Sequence, residues 1–291
     1  MTPLPVGARG RGSEPRGAAA PRRLSDLRLR LASAIVLAAG AIGLTVLGGI
    51  AFTLLAALVA ALVFAEWLGV TGTRAGRVVD GVMIAGVVAA TIAGSVFPGP
   101  AALALLVFAL ASMAVAAGRP GFSWRALGIL YAGLGGIAAA VLRASPDEGL
   151  VATILLFAAV WASDTGAYFA GRAMGGPKLW PAVSPKKTWS GAVGGLLGGL
   201  AAGLVVGFAA GVPEPGPLGI VGLVMAGVGE AGDLAESALK RRFGAKDSGR
   251  LIPGHGGVFD RVDGLLAAAV VAVLFGFLRG GANPAAGLVL W

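Results

Sequence analysis

The residues of this chain that could do chemistry lie late in the sequence, and most of them are acids set inside or beside apolar stretches: Asp164, Asp233, Glu236, Asp260 and Asp263. A carboxylate at mid-membrane depth costs about 2.5–3.5 kcal/mol or more, so it faces a partner or a wet cavity and is a functional candidate. Asp164 interrupts the run LLFAAVWASDTGAYFAG, and helical spacing places Asp164, Tyr168 and Arg172 on one face. Its plainer role is a helix–helix hydrogen bond or an intramembrane ion pair. In GEAGDLAESALKRRFGAKD, a helix puts Asp233, Glu236, Ser237 and Lys240 on one face and Leu234, Ala235, Ala238 and Leu239 on the other. A solvated helix end accounts for Lys240 to Arg242 but poorly for the deeper Asp233 and Glu236. In LIPGHGGVFDRVDG, Pro253, Gly254, Gly256 and Gly257 make a tight loop whose N–H groups could cradle anionic oxygens. Asp260 and Asp263 follow at the first turn of a helix, where capping is the plainer role. Hard oxygen donors without a His/Cys cluster favour Mg²⁺ over zinc.

The cations support phosphate chemistry. The chain uses arginine over lysine 18 to 5, yet its lysines stand only at 178, 186, 187, 240 and 246. A compact ammonium suits a phosphate where a planar fork is not needed. Ser184-Pro185-Lys186-Lys187-Thr188 reads as a turn carrying two ammonium groups and two hydroxyls. It is either a basic membrane-surface loop or a clamp on a nucleotide triphosphate or lipid phosphate. No GxxxxGK[ST] loop occurs, since Gly176 is followed by Pro177 before Lys178. With no cysteine and the single His255, thiol nucleophiles, disulfides and multi-imidazole metal sites are excluded.

The elements that must position these groups are membrane helices. The chain is 57% hydrophobic and 13% charged, against about 25% charged for a soluble domain, and residues 81–118 carry no charge at all. Gly/Pro breaks and charged punctuation predict an all-α polytopic membrane protein of about nine spans. They fall near 31–48, 50–66, 79–97, 101–117, 126–142, 150–170, 190–211, 218–240 and 264–279. Residues 1–30, with seven arginines and two acids, read as a disordered cytoplasmic tail. With that tail inside, 21 of the 23 lysines and arginines fall in inside segments, leaving Arg143 and Arg279 outside. The basic excess therefore describes membrane orientation rather than a nucleic-acid face. Residues 31–149 form the N-terminal transmembrane helices and 150–291 a C-terminal transmembrane catalytic region. Gly191, Gly195 and Gly199 make a small-residue ladder for close helix packing.

The segment Ser237-x-Leu239-Lys240-Arg241, then Lys246-Asp247, then Ile252-Pro253-x-His255-Gly256-Gly257-Val258-x-Asp260-Arg261-Val262-Asp263 resembles the phosphatidate cytidylyltransferase (CDP-diacylglycerol synthase) family over 27 positions. Ser163-Asp164-Thr165-Gly166-Ala167-Tyr168 and Ser184-Pro185-Lys186-Lys187-Thr188-Trp189 resemble it too. Ser190, where the family often has an acid, and Glu230, where an amide is common, depart from it. The resemblance implies that CTP and phosphatidate react to CDP-diacylglycerol and pyrophosphate with Mg²⁺ (a second cation is an open alternative) at the cytoplasmic side of the cell membrane. It implies metal ligation by Asp233 and Asp260. It assigns Asp164, Ser237, Lys240, Asp247, Asp260 and Asp263 to catalysis. Lys186, Lys187, Lys240, Arg241, Lys246, His255, Gly256, Gly257 and Arg261 are assigned to substrate binding, with His255 a phosphate donor rather than a base. A homodimer stays open. Rival readings are another CTP-dependent lipid enzyme, such as a polyprenol kinase or a CDP-archaeol-type synthase, and an anion transporter.

Overall fold

A computed structural model describes residues 36, 38–115, 122–252 and 256–291, so the Arg-rich tail lies outside the described residues. In chain order the elements are α1 (Ala38–Leu47), α2 (Gly49–Val70), α3 (Arg77–Gly94), α4 (Pro98–Val115), α5 (Phe122–Ala144) and α6 (Gly149–Met174). A short hairpin, β1 (Lys178–Trp180) and β2 (Ser184–Thr188), precedes α7 (Trp189–Ala209), α8 (Pro215–Arg242), α9 (Phe259–Gly280) and α10 (Pro284–Val289). Among the described residues seven helices, α2, α3 and α5 to α9, are long and apolar enough to cross a membrane, while Ala38–Leu47 and Pro98–Ser112 are shorter apolar pieces. The chain is thus helical and membrane-like, the architecture in which backbone groups at membrane depth find partners within their own helix.

Lipid tails are as apolar as leucine, so close packing rather than burial from water holds such helices together. In the first half, Phe64 and Leu68 of α2, Leu105 of α4, Ile129 of α5 and Leu155 of α6 are buried almost completely. In the second half the contact is glycine-based. A Cβ on Gly195 would run into the Glu230 carboxylate, and one on Gly199 into Ala226 and the Gly222 carbonyl of α8. The ladder read from the sequence therefore brings α6, α7 and α8 to backbone distance, which draws Asp164 and Asp233 together.

The loops that follow α6 and α8 lie at one end of the bundle. At the other end the Ser145 hydroxyl (2.7 Å) and the Asn283 amide (3.2 Å) donate to Glu148 and hold its carboxyl below the usual range. The 184–188 segment differs from expectation, for it is a strand and not a turn. Lys178 pairs with Thr188 and Trp180 with Ser184 in antiparallel register. The Val183 N–H donates to the Trp180 carbonyl to make the reversal, and the Trp189 N–H closes on Pro177, both at 3.1 Å. Pro185 is tolerated because a two-stranded ribbon has free edges. The Thr188 hydroxyl then accepts the Gly191 N–H at 3.1 Å and caps α7.

Gly199→Leu is expected to lower the midpoint of thermal unfolding in detergent, because overpacking against backbone costs about 1–3 kcal/mol. Gly81→Ala, whose Cβ would meet nothing within 4 Å, is the matched control and should leave the midpoint unchanged or raise it. Size-exclusion thermostability profiles of the two variants check this.

Candidate active site

Asp233 and Glu236 stand one turn apart on α8, and Asp260 and Asp263 one turn apart at the start of α9. Asp233, Glu236 and Asp263 each bring a carboxylate oxygen within 4.8 Å of the others. Glu236 is only 3% exposed. One of its oxygens pairs with Lys240 at 2.8 Å, and the other is buried without a partner among the described residues. The same ammonium reaches Asp260 at 2.7 Å, so one cation bridges α8 and α9. Around these groups lies a cavity of about 340 Å³ whose charged lining is Asp164, Asp233, Glu236, Asp260 and Asp263 against Lys240 and Arg261. Acids outnumber bases there, and a partnerless buried carboxylate oxygen is what a hard divalent cation neutralises.

Asp260, one of the two expected metal ligands, makes many bonds in this structure. Besides Lys240 it accepts the Ser248 N–H at 3.0 Å and the Gly257 N–H at 2.9 Å. The Gly257 N–H therefore points to Asp260 and not to a free anion, because a carboxylate of its own loop already sits within reach. Gly256, at φ 85°, carries the reversal, and its carbonyl accepts the Ile252 N–H at 3.0 Å. Pro253, Gly254 and His255 lie outside the described residues.

A second cavity, of about 490 Å³, opens between α6, the hairpin and α7. It is lined by Tyr168, Arg172, Lys186 and Lys187 along with Ala167, Leu179 and Ala192. Asp164 and Asp233 line both cavities and form the wall between them. The Lys187 ammonium sits 2.7 Å from Asp233, and Arg172 donates to the Tyr168 hydroxyl at 2.9 Å. The helical-face reading of Asp164, Tyr168 and Arg172 is what the cavity shows. Ser237 reaches Asp233 at 3.4 Å, a weak contact, and Arg241 touches the Val183 carbonyl at the same distance. Lys246 and Asp247 are exposed on the loop after α8 and line neither cavity.

Three residues outside the sequence assignment belong to the same architecture: Glu66, Ser248 and Tyr131. Glu66 accepts from Val258 N–H, Phe259 N–H and the Ser248 hydroxyl at 2.8–3.0 Å. Tyr131 donates to the Asp263 carbonyl at 2.7 Å. Glu66 carried a signal, since it is an acid at the end of an apolar span. Its partners lie more than 180 residues away, so nothing in local spacing names them.

A sequence model described as the cytidylyltransferase family matches residues 28–278, a range holding every site residue named above. Proteins named phosphatidate cytidylyltransferase from Brucella suis biovar 1 (strain 1330) and Brucella melitensis biotype 1 are 41% identical over 258 residues, 87% of this chain and 94% of theirs. The protein of that name from Haemophilus influenzae is 44% identical over 128 residues, 42% of this chain and 44% of its own.

Lys240→Met is expected to destabilise the protein by about 3 kcal/mol, because it leaves Glu236 and Asp260 buried and uncompensated. Lys240→Arg should recover part of the loss by keeping the charge. Thermal unfolding in one detergent compares the two variants.

Proposed function

Because the chain belongs to the cytidylyltransferase family, we propose that it transfers the cytidylyl group of CTP to phosphatidate, forming CDP-diacylglycerol and pyrophosphate. The observation that carries this reading is the pair of cavities meeting at Asp164 and Asp233. Two phosphorylated substrates have to meet at one boundary, and the wall shared by the two cavities supports this reading. The cavity with Lys186, Lys187 and Arg172 beside apolar side chains suits a lipid phosphate. The carboxylate-lined cavity suits a triphosphate that arrives with a divalent cation.

Mg²⁺ fits the second cavity on the chemistry of the donors, all hard oxygens, and on the orphaned Glu236 oxygen. Asp233, Glu236 and Asp263 would hold it, with Asp260, a further carboxylate of the cavity, free to serve as a ligand on leaving Lys240. When bound it supplies charge neutralisation for the triphosphate and the attacking phosphate together. The chain's own residues supply position. Lys187, released from Asp233, meets the lipid phosphate, and Arg172 and Lys186 hold its remaining charge. A phosphatidate oxygen then forms a bond to the α-phosphorus of CTP while the bond to the bridging oxygen of the β-phosphate breaks. Lys240 and Arg261 receive the negative charge that develops on the leaving pyrophosphate. Phosphatidate is already anionic at neutral pH, so no side chain has to remove a proton, and alignment plus electrostatics suffices.

The same reading puts the site at the cytoplasmic face of the cell membrane. What supports it is the distribution of charge, with 21 of the 23 basic residues in the segments read as inside when the apolar stretches near 31–48 and 101–117 are counted as spans.

Purified protein given labelled CTP and phosphatidate should yield a cytidine-containing lipid and pyrophosphate. Polyprenol and archaeal ether-lipid phosphates should compete poorly, and a phosphorylated lipid without cytidine would overturn the assignment. Asp233→Asn is expected to lower kcat by about 10²–10³-fold, as removal of one preorganised electrostatic group does. EDTA should abolish turnover and Mg²⁺ restore it.

A further inference from the structure

The first turns of α9 carry two site carboxylates, Asp260 and, one turn on, Asp263, yet the N-cap position supplies no side-chain cap. The residue there, Val258, offers no side-chain acceptor. The first N–H groups of a helix have no partner within it and need one elsewhere. Here the partner comes from the last turns of α2. Glu66 accepts the Val258 N–H at 3.0 Å on one oxygen and the Phe259 N–H at 2.8 Å on the other. The Ser248 hydroxyl donates to that second oxygen at 2.8 Å and accepts the Asp260 N–H at 3.3 Å. The Ser248 N–H in turn donates to the Asp260 carboxylate at 3.0 Å. One carboxylate thus joins the helix start, the loop before it and, through a single serine, Asp260.

The surroundings fix this clamp in place. Glu66's neighbour Trp67 lies 5.7 Å from the Phe259 ring, and Tyr131 of α5 lies 5.4 Å from it. The Tyr131 hydroxyl reaches the Asp263 carbonyl one turn further on. A Cβ on Gly249 or Gly257 would collide with the Glu66 carboxylate, so the loop has room for the carboxylate only because both positions are bare. A negative group is also the favourable one at the positive end of a helix dipole.

We propose that Glu66 is a positioning residue: it sets the register of the α9 start and thereby holds Asp260 and Asp263 in the geometry that binds the catalytic cation. A slip of one residue would turn both carboxylates by about 100° off the cavity wall. The effect on turnover rests on the cytidylyltransferase reading, whereas the effect on helix order does not. Glutamine keeps the shape of Glu66 but replaces one acceptor oxygen with a donor, so one of its three bonds is lost together with the charge.

The test compares wild type, Glu66→Gln, Glu66→Asp and Ser248→Ala as full-length protein in detergent. Hydrogen exchange reports the Val258 and Phe259 amides, spin-resonance titration with Mn²⁺ reports cation binding, and turnover is measured against Mg²⁺ concentration. In Glu66→Gln, faster exchange at both amides is expected, together with a ten- to hundredfold weakening of Mn²⁺ binding, about what loss of an outer-shell partner costs. The Mg²⁺ needed for half-maximal turnover should rise in step, and Glu66→Asp should recover part of each effect. Ser248→Ala, which alters only the bridge, should shift the same readouts less, and in the double variant with Glu66→Gln its effect should not add. A lowered unfolding midpoint with unchanged Mn²⁺ affinity and Mg²⁺ requirement would make Glu66 merely structural and overturn the proposal. Absence of CTP turnover in the wild type would instead overturn the proposed function, and exchange and Mn²⁺ binding would still decide the role of Glu66.

Discussion

Carboxylates crowded at one end of a helical bundle repel one another, and the rest of this structure can be understood as what that crowding demands. Two unit charges less than 4.8 Å apart, at an effective dielectric of about 20, repel by more than about 3 kcal/mol. Asp233, Glu236 and Asp263 are held in that relation by two helices, and Asp260 stands one turn away. Lys240 offsets part of the repulsion by bridging Glu236 and Asp260, and Lys187 offsets part by pairing with Asp233. What remains is one buried Glu236 oxygen facing no donor among the described residues. The cluster is therefore incomplete in charge, and a hard divalent cation, as proposed above, would complete it.

Holding such a cluster needs rigid backbone, and the two halves of the chain provide it differently. In α6, α7 and α8, glycine removes side chains so that backbones touch, and the shared wall of Asp164 and Asp233 results. In the first half, larger residues pack conventionally and their inner ends turn toward α9. Trp67, Tyr131 and Phe259 form one ring cluster. Glu66 and Tyr131 hold the two ends of the first α9 turns. The helices that look like mere membrane filler thus locate the carboxylates from behind. The carboxylates lie in the second half, and residues of the first half contact the backbone that carries two of them.

The placement of the cations has a similar logic. Each lysine that approaches the cavities, Lys186, Lys187 and Lys240, is a flexible point charge that can exchange a carboxylate for a phosphate without a fixed fork geometry. The arginines that do approach, Arg172 and Arg261, stand at the walls. An enzyme that aligns two phosphates needs partners that let go as well as partners that hold.

Amino-acid order alone determined the helical, membrane-like class, because apolar runs longer than about 20 residues have few other folds available in lipid. It also determined which face of α8 carries Asp233, Glu236 and Lys240, and which face of α6 carries Asp164, Tyr168 and Arg172, since helical periodicity is local. The strand at 184–188 was not legible, because a two-stranded ribbon depends on its partner at 178–180 and on the Trp189–Pro177 closure. Nor was the destination of the Gly257 N–H, which read as a possible anion donor and bonds Asp260 instead, nor that of the Val258 and Phe259 N–H groups on Glu66. The grouping of Glu236 and Asp263 with Asp233, the two cavities with a common wall and the Glu66 clamp were decided by tertiary structure. Each joins residues far apart in sequence, and such contacts are set by how helices pack rather than by any local spacing.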